Sequence, residues 1–285
     1  LHRNGFQTML LKGTALIFLY YQNYGLRSMS DVDILVPTKQ VQDVLIFMKH
    51  QGWLPKPRHQ ATFTDEYVLI SHGHEFYTHD QRSIDLHWHV LPECCQPDGD
   101  EDFWEAALPL DFLGVATYAL CPADQLLHVC AHSARSCSAM PLRWVADVLT
   151  ILHHGPCTLD WERLLEQAEK RRLSLSVRDT LTYVQQRYDA AVPQAVLDRL
   201  HQHPVSRLEK IEYHYKRQDH YHRLLGYLPI MWFDYSRLRG RISFVRKFLG
   251  FADYIRRFWG TGLLEGCLSY IFRLKNVTPQ NSSNI

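Results

Sequence analysis

The spacing of apolar residues changes several times over the first ninety positions. A short apolar run at 8–11 stops at Lys12-Gly13-Thr14, after which residues 15–21 take on helical spacing. That order predicts a strand, a glycine turn and a helix. Residues 32–36 read as a buried strand closed by Pro37. Val41, Val44, Leu45 and Met48 place a helix over 39–50, with Thr38 as its N-cap. Strand-like runs follow at 67–70, 74–77 and 83–89, giving a unit of βαβαβββ type. From Pro122 onward the period becomes helical at 123–133, 142–154, 160–172, 175–188, 193–203 and 207–217. In one of these helices Trp161, Leu164, Leu165 and Ala168 form an apolar stripe that Thr158 or Asp160 would cap. The pattern predicts an α+β chain: a mixed α/β domain over 1–110, an all-α helical domain over 111–235, and a C-terminal segment over 236–285 that ends in a disordered tail.

Composition narrows the class. A chain of 285 residues with 46% apolar and 21% charged positions is that of a folded globular protein, not a disordered chain or a disulfide scaffold. Its formal charge of +1 lacks the basic excess of a dedicated nucleic-acid binder. The charge is unevenly spread. Residues 237–275 hold nine Lys and Arg against Asp253 and Glu265, a net +7 that leaves −6 for the remainder. Phe244, Phe248, Phe251, Tyr254, Phe258 and Trp259 interleave with these cations. A helix packed on the helical domain is the first reading of this segment. Contact with a membrane surface, or with an acidic partner or nucleic acid, is less favoured; glycines at 250, 260, 262 and 266 interrupt the long amphipathic helix a membrane surface would need. No apolar stretch is long enough to predict a transmembrane segment, and no signal peptide is seen. The opening on Leu1 instead of Met is expected of a fragment or a trimmed chain. The seven cysteines make no C-x-x-C pair and include a vicinal Cys94-Cys95, read as two loop thiols. Reduced thiols suit a cytoplasmic setting.

The chemistry concentrates in Arg27-x-x-x-Asp31-Val32-Asp33-Ile34-Leu35-Val36. Carboxylates at i and i+2 on a strand share a face, while Val32 and Ile34 turn to the core. Two like charges that close call for a cation, and oxygen donors suit Mg²⁺ or Mn²⁺. A third carboxylate, Asp85, would share a strand face with His87 and His89. If the two strands are neighbours, Asp31, Asp33 and Asp85 converge. Backbone N–H groups at Gly13 and the Thr14 hydroxyl sit where a strand turns into a helix, which favours phosphate. Lys12 is read as a phosphate ligand or a plain surface residue. Arg27 would bind phosphate or pair with Asp31 or Asp33. These parts could hold a nucleoside triphosphate with its metals for an in-line phosphoryl displacement, with His87 hydrogen-bonding near the nucleotide or acceptor. His128 and His132, at i and i+4, lack the glutamate of a zinc-hydrolase helix and are expected to pack between domains. Neither a P-loop nor a dinucleotide-binding glycine motif is present.

A glycine followed by a hydroxyl residue, then Asp-x-Asp, then a lone Asp on a later strand resembles the DNA polymerase β-like nucleotidyltransferase superfamily. More narrowly, Leu11-Lys12-Gly13-Thr14-Ala15-Leu16, the Arg27 to Val36 stretch and Asp85-Leu86-His87-Trp88 are similar to the bacterial uncharacterised nucleotidyltransferases. Pro122-Ala123-Asp124-Gln125-Leu126-Leu127-His128, His132 and Leu142-Arg143-Trp144-Val145-Ala146-Asp147 extend the likeness, which spans roughly residues 5–200. The resemblance implies Mg²⁺ or Mn²⁺ on Asp31 and Asp33, with Asp85 assisting the metal or accepting the acceptor's hydroxyl proton. It implies triphosphate contacts at Gly13 and Thr14. The pair here is Gly-Thr where the superfamily has Gly-Ser or Gly-Gly, a change that keeps the hydroxyl.

The function so predicted is transfer of a nucleoside monophosphate from a triphosphate such as ATP to a hydroxyl, with release of pyrophosphate. A small-molecule or protein acceptor is favoured over RNA, because the region around the site is net acidic. The rivals are an inactive member that binds a nucleotide or a partner, a toxin- or antitoxin-like enzyme acting on tRNA or protein, and, more distantly, a zinc hydrolase.

Overall fold

The computed structural model describes residues 1–29, 31–57, 63–96, 98–135, 141–154, 158–217, 228–238 and 244–259. Strand β1 (Met9–Leu10) leads into helix α1 (Lys12–Leu16), which widens into a π turn over Ile17–Tyr21. There follow β2 (Asp33–Leu35), α2 (Val41–His50), β3 (Leu54–Pro55), α3 (Asp65–Val68), β4 (Gly73–Tyr77), β5 (Ser83–His87) and α4 (Glu101–Glu105). The hairpin β6 (Leu108–Phe112) and β7 (Val115–Ala119) comes next. These strands form a seven-stranded mixed sheet in the order β3-β4-β5-β2-β1-β7-β6. Strand β2 runs parallel to β5 and β1 runs parallel to β7, whereas β1 and β2 are antiparallel.

The helical part begins directly after β7, with α5 (Pro122–Arg135) and α6 (Pro141–His154). It continues through α7 (Trp161–Lys170), α8 (Ser174–Tyr188), α9 (Gln194–Gln202) and α10 (Arg207–Arg217). Helices α11 (Leu228–Leu238) and α12 (Phe244–Trp259) close the described chain. Six helices thus lie where the apolar period places them. Asp160 caps α7 by accepting from Arg163 N at 2.9 Å, one of the two caps foreseen.

Three local readings are corrected. Residues 67–70 are not a strand: Thr64 caps a short helix by accepting from Tyr67 N, and Asp65 and Glu66 favour its first turn. Thr38 does not cap α2, since its hydroxyl donates to Trp88 O at 3.2 Å and a 3-10 turn over Thr38–Gln40 precedes the helix. The β6–β7 hairpin had no counterpart in the predicted elements. Its Leu113 and Gly114 both adopt positive φ, 55° and 81°, and so form the two-residue turn that matches strand twist.

One apolar core crosses the 110/111 division. Met9, Leu11, Leu16 and Leu35 from the sheet side pack in the same cluster as Leu126, Leu127, Val145, Val148, Leu181 and Leu197 from the helices. A second cluster, with Val41, Val44, Met48, Phe76, Leu86 and Trp88, fills the opposite face of the sheet. Helix α12 packs on α11 and reaches back to α3, where the Phe258 ring lies 5.7 Å from that of Tyr67. The chain beyond 259, including the tail predicted to be disordered, lies outside the described residues. Among the described residues no helix is long and apolar enough to cross a membrane.

Candidate active site

Strand register brings the first two carboxylates together. Parallel pairing sets Asp33 opposite Asp85 and Leu35 opposite His87. Side chains opposite one another on adjacent strands share a face about 5 Å apart. Two carboxylates so placed repel unless a positive charge joins them. Lys12 supplies it: its Nζ donates to Asp33 Oδ1 at 2.5 Å and stands 3.5 Å from Asp85 Oδ2. The Lys12 backbone has φ 45°, a left-handed conformation that non-glycine residues rarely adopt and that clusters at functional sites.

His87 completes the group. Its Nε2 lies 3.1 Å from both Asp33 Oδ1 and Asp85 Oδ2, and 3.3 Å from Lys12 Nζ. Burial disfavours the imidazolium, but hydrogen bonds to the two carboxylates outweigh it and raise the His87 pKa. Burial likewise opposes ionisation of Asp85. The His87 hydrogen bond and charge, with Lys12, override it and hold Asp85 well below the usual carboxylate range. Gly73 permits this packing. It faces His87 across the antiparallel β4–β5 pair, where a Cβ would stand 2.8 Å from Leu86 O and 3.0 Å from His87 Nδ1.

The second positive group is pinned from the helical side. Arg27 donates to both oxygens of Asp147 on α6, Nε to Oδ1 at 2.7 Å and Nη2 to Oδ2 at 3.0 Å. The Tyr21 hydroxyl, on the π turn, donates to Asp147 Oδ1 at 2.9 Å. Burial and the Asp147 charge push its pKa up to about 12, so it remains a donor. Gly13 leaves room for this arrangement, because a Cβ there would meet Arg27 Nη1 at 2.3 Å.

A cleft of about 280 Å³ lies between these groups and the helices. Lys12, Gly13, Arg27, Met29, Asp31 and Asp33 line one wall, and His128, Val129, His132, Ser133, Arg143, Trp144 and Asp147 line the other. Asp85 and His87 stand beside Asp33 without lining it. Asp31, two residues before Asp33 and just ahead of β2, lines the same cleft wall. Thr14 is buried, and its hydroxyl donates to Met29 Sδ at 3.7 Å.

His89 does not share the site with His87, as strand alternation had predicted. Strand β5 ends at His87, and His89 Nδ1 instead bonds Asp100, which also accepts from Val90 N at 2.9 Å. His128 and His132 face the cleft, with ring centroids 4.9 Å apart. Cys94 is buried and Cys95 half-buried, and desolvation raises both thiol pKa values. Sequence reasoning missed Asp147, Tyr21 and Gly73 as parts of the site. Asp147 stood in a motif noted only for its likeness, and its partner lies 120 positions away.

Among the described residues, Asp33, Asp85 and His87 are the group able to hold a metal ion, with one ligand atom each within 4.8 Å of one another. Two carboxylates and an imidazole suit a divalent cation, and a cationic ammonium already balances their charge in this structure.

Residues 1–189 match the family model described as uncharacterised nucleotidyltransferase. No curated protein matches the chain. The paired carboxylates at the β2–β5 register, the glycine beneath Arg27 and a match over more than half the chain agree, and the chain belongs to the uncharacterised nucleotidyltransferase family, enzymes that transfer nucleotidyl groups.

Proposed function

We propose that the protein uses Mg²⁺ or Mn²⁺ to transfer a nucleoside monophosphate from a nucleoside triphosphate to a hydroxyl of a small-molecule or protein acceptor, with release of pyrophosphate. The observation that carries this reading is the β2–β5 register. It sets Asp33 opposite Asp85 next to His87, at the edge of a cleft open to a second reactant. When bound, the divalent ion supplies charge neutralisation at the phosphoryl oxygens. Asp33, Asp85 and His87 would hold it. The depressed pKa of Asp85 suits a ligand better than a general base, which needs a pKa near the working pH. Asp31, on the cleft wall and outside that group of three, would take the proton of the incoming hydroxyl. Gly13 lets Arg27, fixed by Asp147, lie over the start of α1, where the guanidinium would meet the phosphates. Arg143 and Trp144, on the facing wall, offer a charge and an aromatic face to base or acceptor.

The rival reading, a member that binds nucleotide without turnover, draws on the Lys12 ammonium standing among the carboxylates. Incubation with each α-labelled triphosphate, Mg²⁺ and a cell extract separates the two. Transfer of label to a metabolite or protein fraction, lost in Asp33→Asn, supports the transferase. Tight nucleotide binding with no label transferred supports the binder, and label in RNA alone would replace the favoured acceptor class.

A further inference from the structure

The position of Lys12 carries a consequence for metal binding. Its Nζ contacts one oxygen of each carboxylate and lies near His87 Nε2, at 2.5, 3.5 and 3.3 Å. Those three atoms are the candidate ligand atoms, all within 4.8 Å of one another. A divalent ion of the Mg²⁺ type binds oxygen at roughly 2.0–2.1 Å. It would therefore take the same space and the same oxygens as the ammonium. The two cations exclude each other sterically and by charge.

The two basic residues of this wall differ in freedom. Arg27 is clamped in a bidentate pair with Asp147, and a metal at Asp33 and Asp85 would leave that pair intact. Every partner of Lys12 among these contacts is a candidate metal ligand. Lys12 also lines the cleft, and its side chain is 24% exposed, so its head group has a path out of the cluster. Its flexible four-carbon stem can swing where a planar guanidinium held by two bonds cannot. The left-handed backbone at Lys12 fixes where that stem starts.

We propose that Lys12 is an exchangeable counter-ion. Its ammonium and a divalent metal occupy the Asp33–Asp85 pair alternately, and the displaced ammonium moves to a phosphate in the same cleft. This rests on the nucleotidyl-transfer reading of the cleft. Metal alone then binds weakly, because it must expel the ammonium from both carboxylates. A triphosphate gives that ammonium a partner, so metal and triphosphate strengthen each other's binding by the same factor. Without the ammonium, metal binds more tightly by itself, and the mutual effect shrinks to what the phosphates' own contact with the metal supplies. Lys12 thereby allows the metal site to fill when substrate is present.

The test is Mn²⁺ affinity, read from the electron paramagnetic resonance signal of free Mn²⁺. Titrations run with and without the α,β-methylene analogues of the four triphosphates, corrected for the Mn²⁺–nucleotide complex in free solution. Wild type is compared with Lys12→Met and Lys12→Gly. The glycine variant suits the left-handed backbone and so guards against misfolding, which thermal melts monitor. In wild type, at least one analogue should tighten Mn²⁺ binding tenfold or more. Both variants should bind Mn²⁺ alone at least tenfold more tightly than wild type alone, with a nucleotide effect at least threefold smaller than that of wild type. Variants that bind Mn²⁺ no better than wild type, while wild type binds the metal–nucleotide pair, overturn the exchange and leave the transferase reading standing. Wild type that binds no Mn²⁺ under any condition, while the variants do, makes Lys12 a permanent counter-charge and also overturns it. If no form binds metal or nucleotide, the exchange and the transferase reading fall together.

Discussion

Gly13, Arg27 and Asp147 form a residue-scale unit that a single methyl group should disturb. An alanine at 13 would place its Cβ 2.3 Å from Arg27 Nη1, so the guanidinium must shift and strain its bidentate seat on Asp147. Breaking that largely buried pair is expected to cost roughly 1–3 kcal/mol. Asp147→Asn breaks the same pair from the other side. The two substitutions should therefore be non-additive in urea unfolding, with the double variant close to the worse single one. Full additivity would show that Gly13 and Asp147 act independently. The carboxylates of this site were legible in the sequence because strand alternation is local: Asp85 and His87 are two positions apart on β5. His89 was misplaced because β5 ends at His87. The clamp on Arg27 was not legible, since no local pattern pairs a loop arginine with a helix aspartate 120 residues later.

At the scale of elements, the helical half was read well because six helices carry a clear apolar period. The misread elements are short and set by caps and turns. Helix α3 depends on the Thr64 cap, and the β6–β7 hairpin on a two-residue turn whose Gly114 N donates to Asp111 Oδ1 at 2.7 Å. The alternation of Leu108, Leu110 and Phe112 was the available signal for that hairpin. Helices α10 and α11 are joined by charge. Arg237 on α11 donates from Nη2 to both oxygens of Glu212 on α10, at 2.9 and 3.0 Å, and from Nη1 to Arg171 O at 2.7 Å. Lys216, also on α10, donates to Glu212 and to Glu93 at 2.7 and 2.9 Å. Removing one partner of a buried pair leaves an uncompensated charge. Arg237→Met still leaves Glu212 with Lys216 as a partner and should lower unfolding free energy by about 1–3 kcal/mol, checked by denaturant titration. A loss below about 1 kcal/mol would mean that apolar packing alone joins these helices.

For the whole molecule, a core shared between sheet and helices fixes the cleft that lies between them. The C-terminal charge cluster makes the stability of that core depend on pH. Burial raises the Asp234 pKa to about 6, against the opposing pull of Lys216, with Glu93 and Glu212 adding to the rise. A raised carboxylate pKa means that the folded state holds the proton more tightly. Its contribution to stability is present below the unfolded value near 4 and is lost as pH rises through about 6. Asp234→Asn should therefore stabilise the protein relative to wild type at pH 8, by on the order of 2 kcal/mol, and make little difference near pH 4. Thermal melts across that range check it. An asparagine variant less stable than wild type at pH 8 would show that Asp234 is favoured in its charged form.

The proposed transfer requires a metal–triphosphate complex to bind at Asp33 and Asp85. Calorimetric titration with each of the four nucleoside triphosphates in Mg²⁺ tests it directly, with Asp33→Asn/Asp85→Asn as the comparison. At least one triphosphate should bind the wild-type protein, and the double variant should bind it at least a hundredfold more weakly while retaining its fold by circular dichroism. Equal binding by both proteins, or no binding by the wild type to any of the four, would contradict the account.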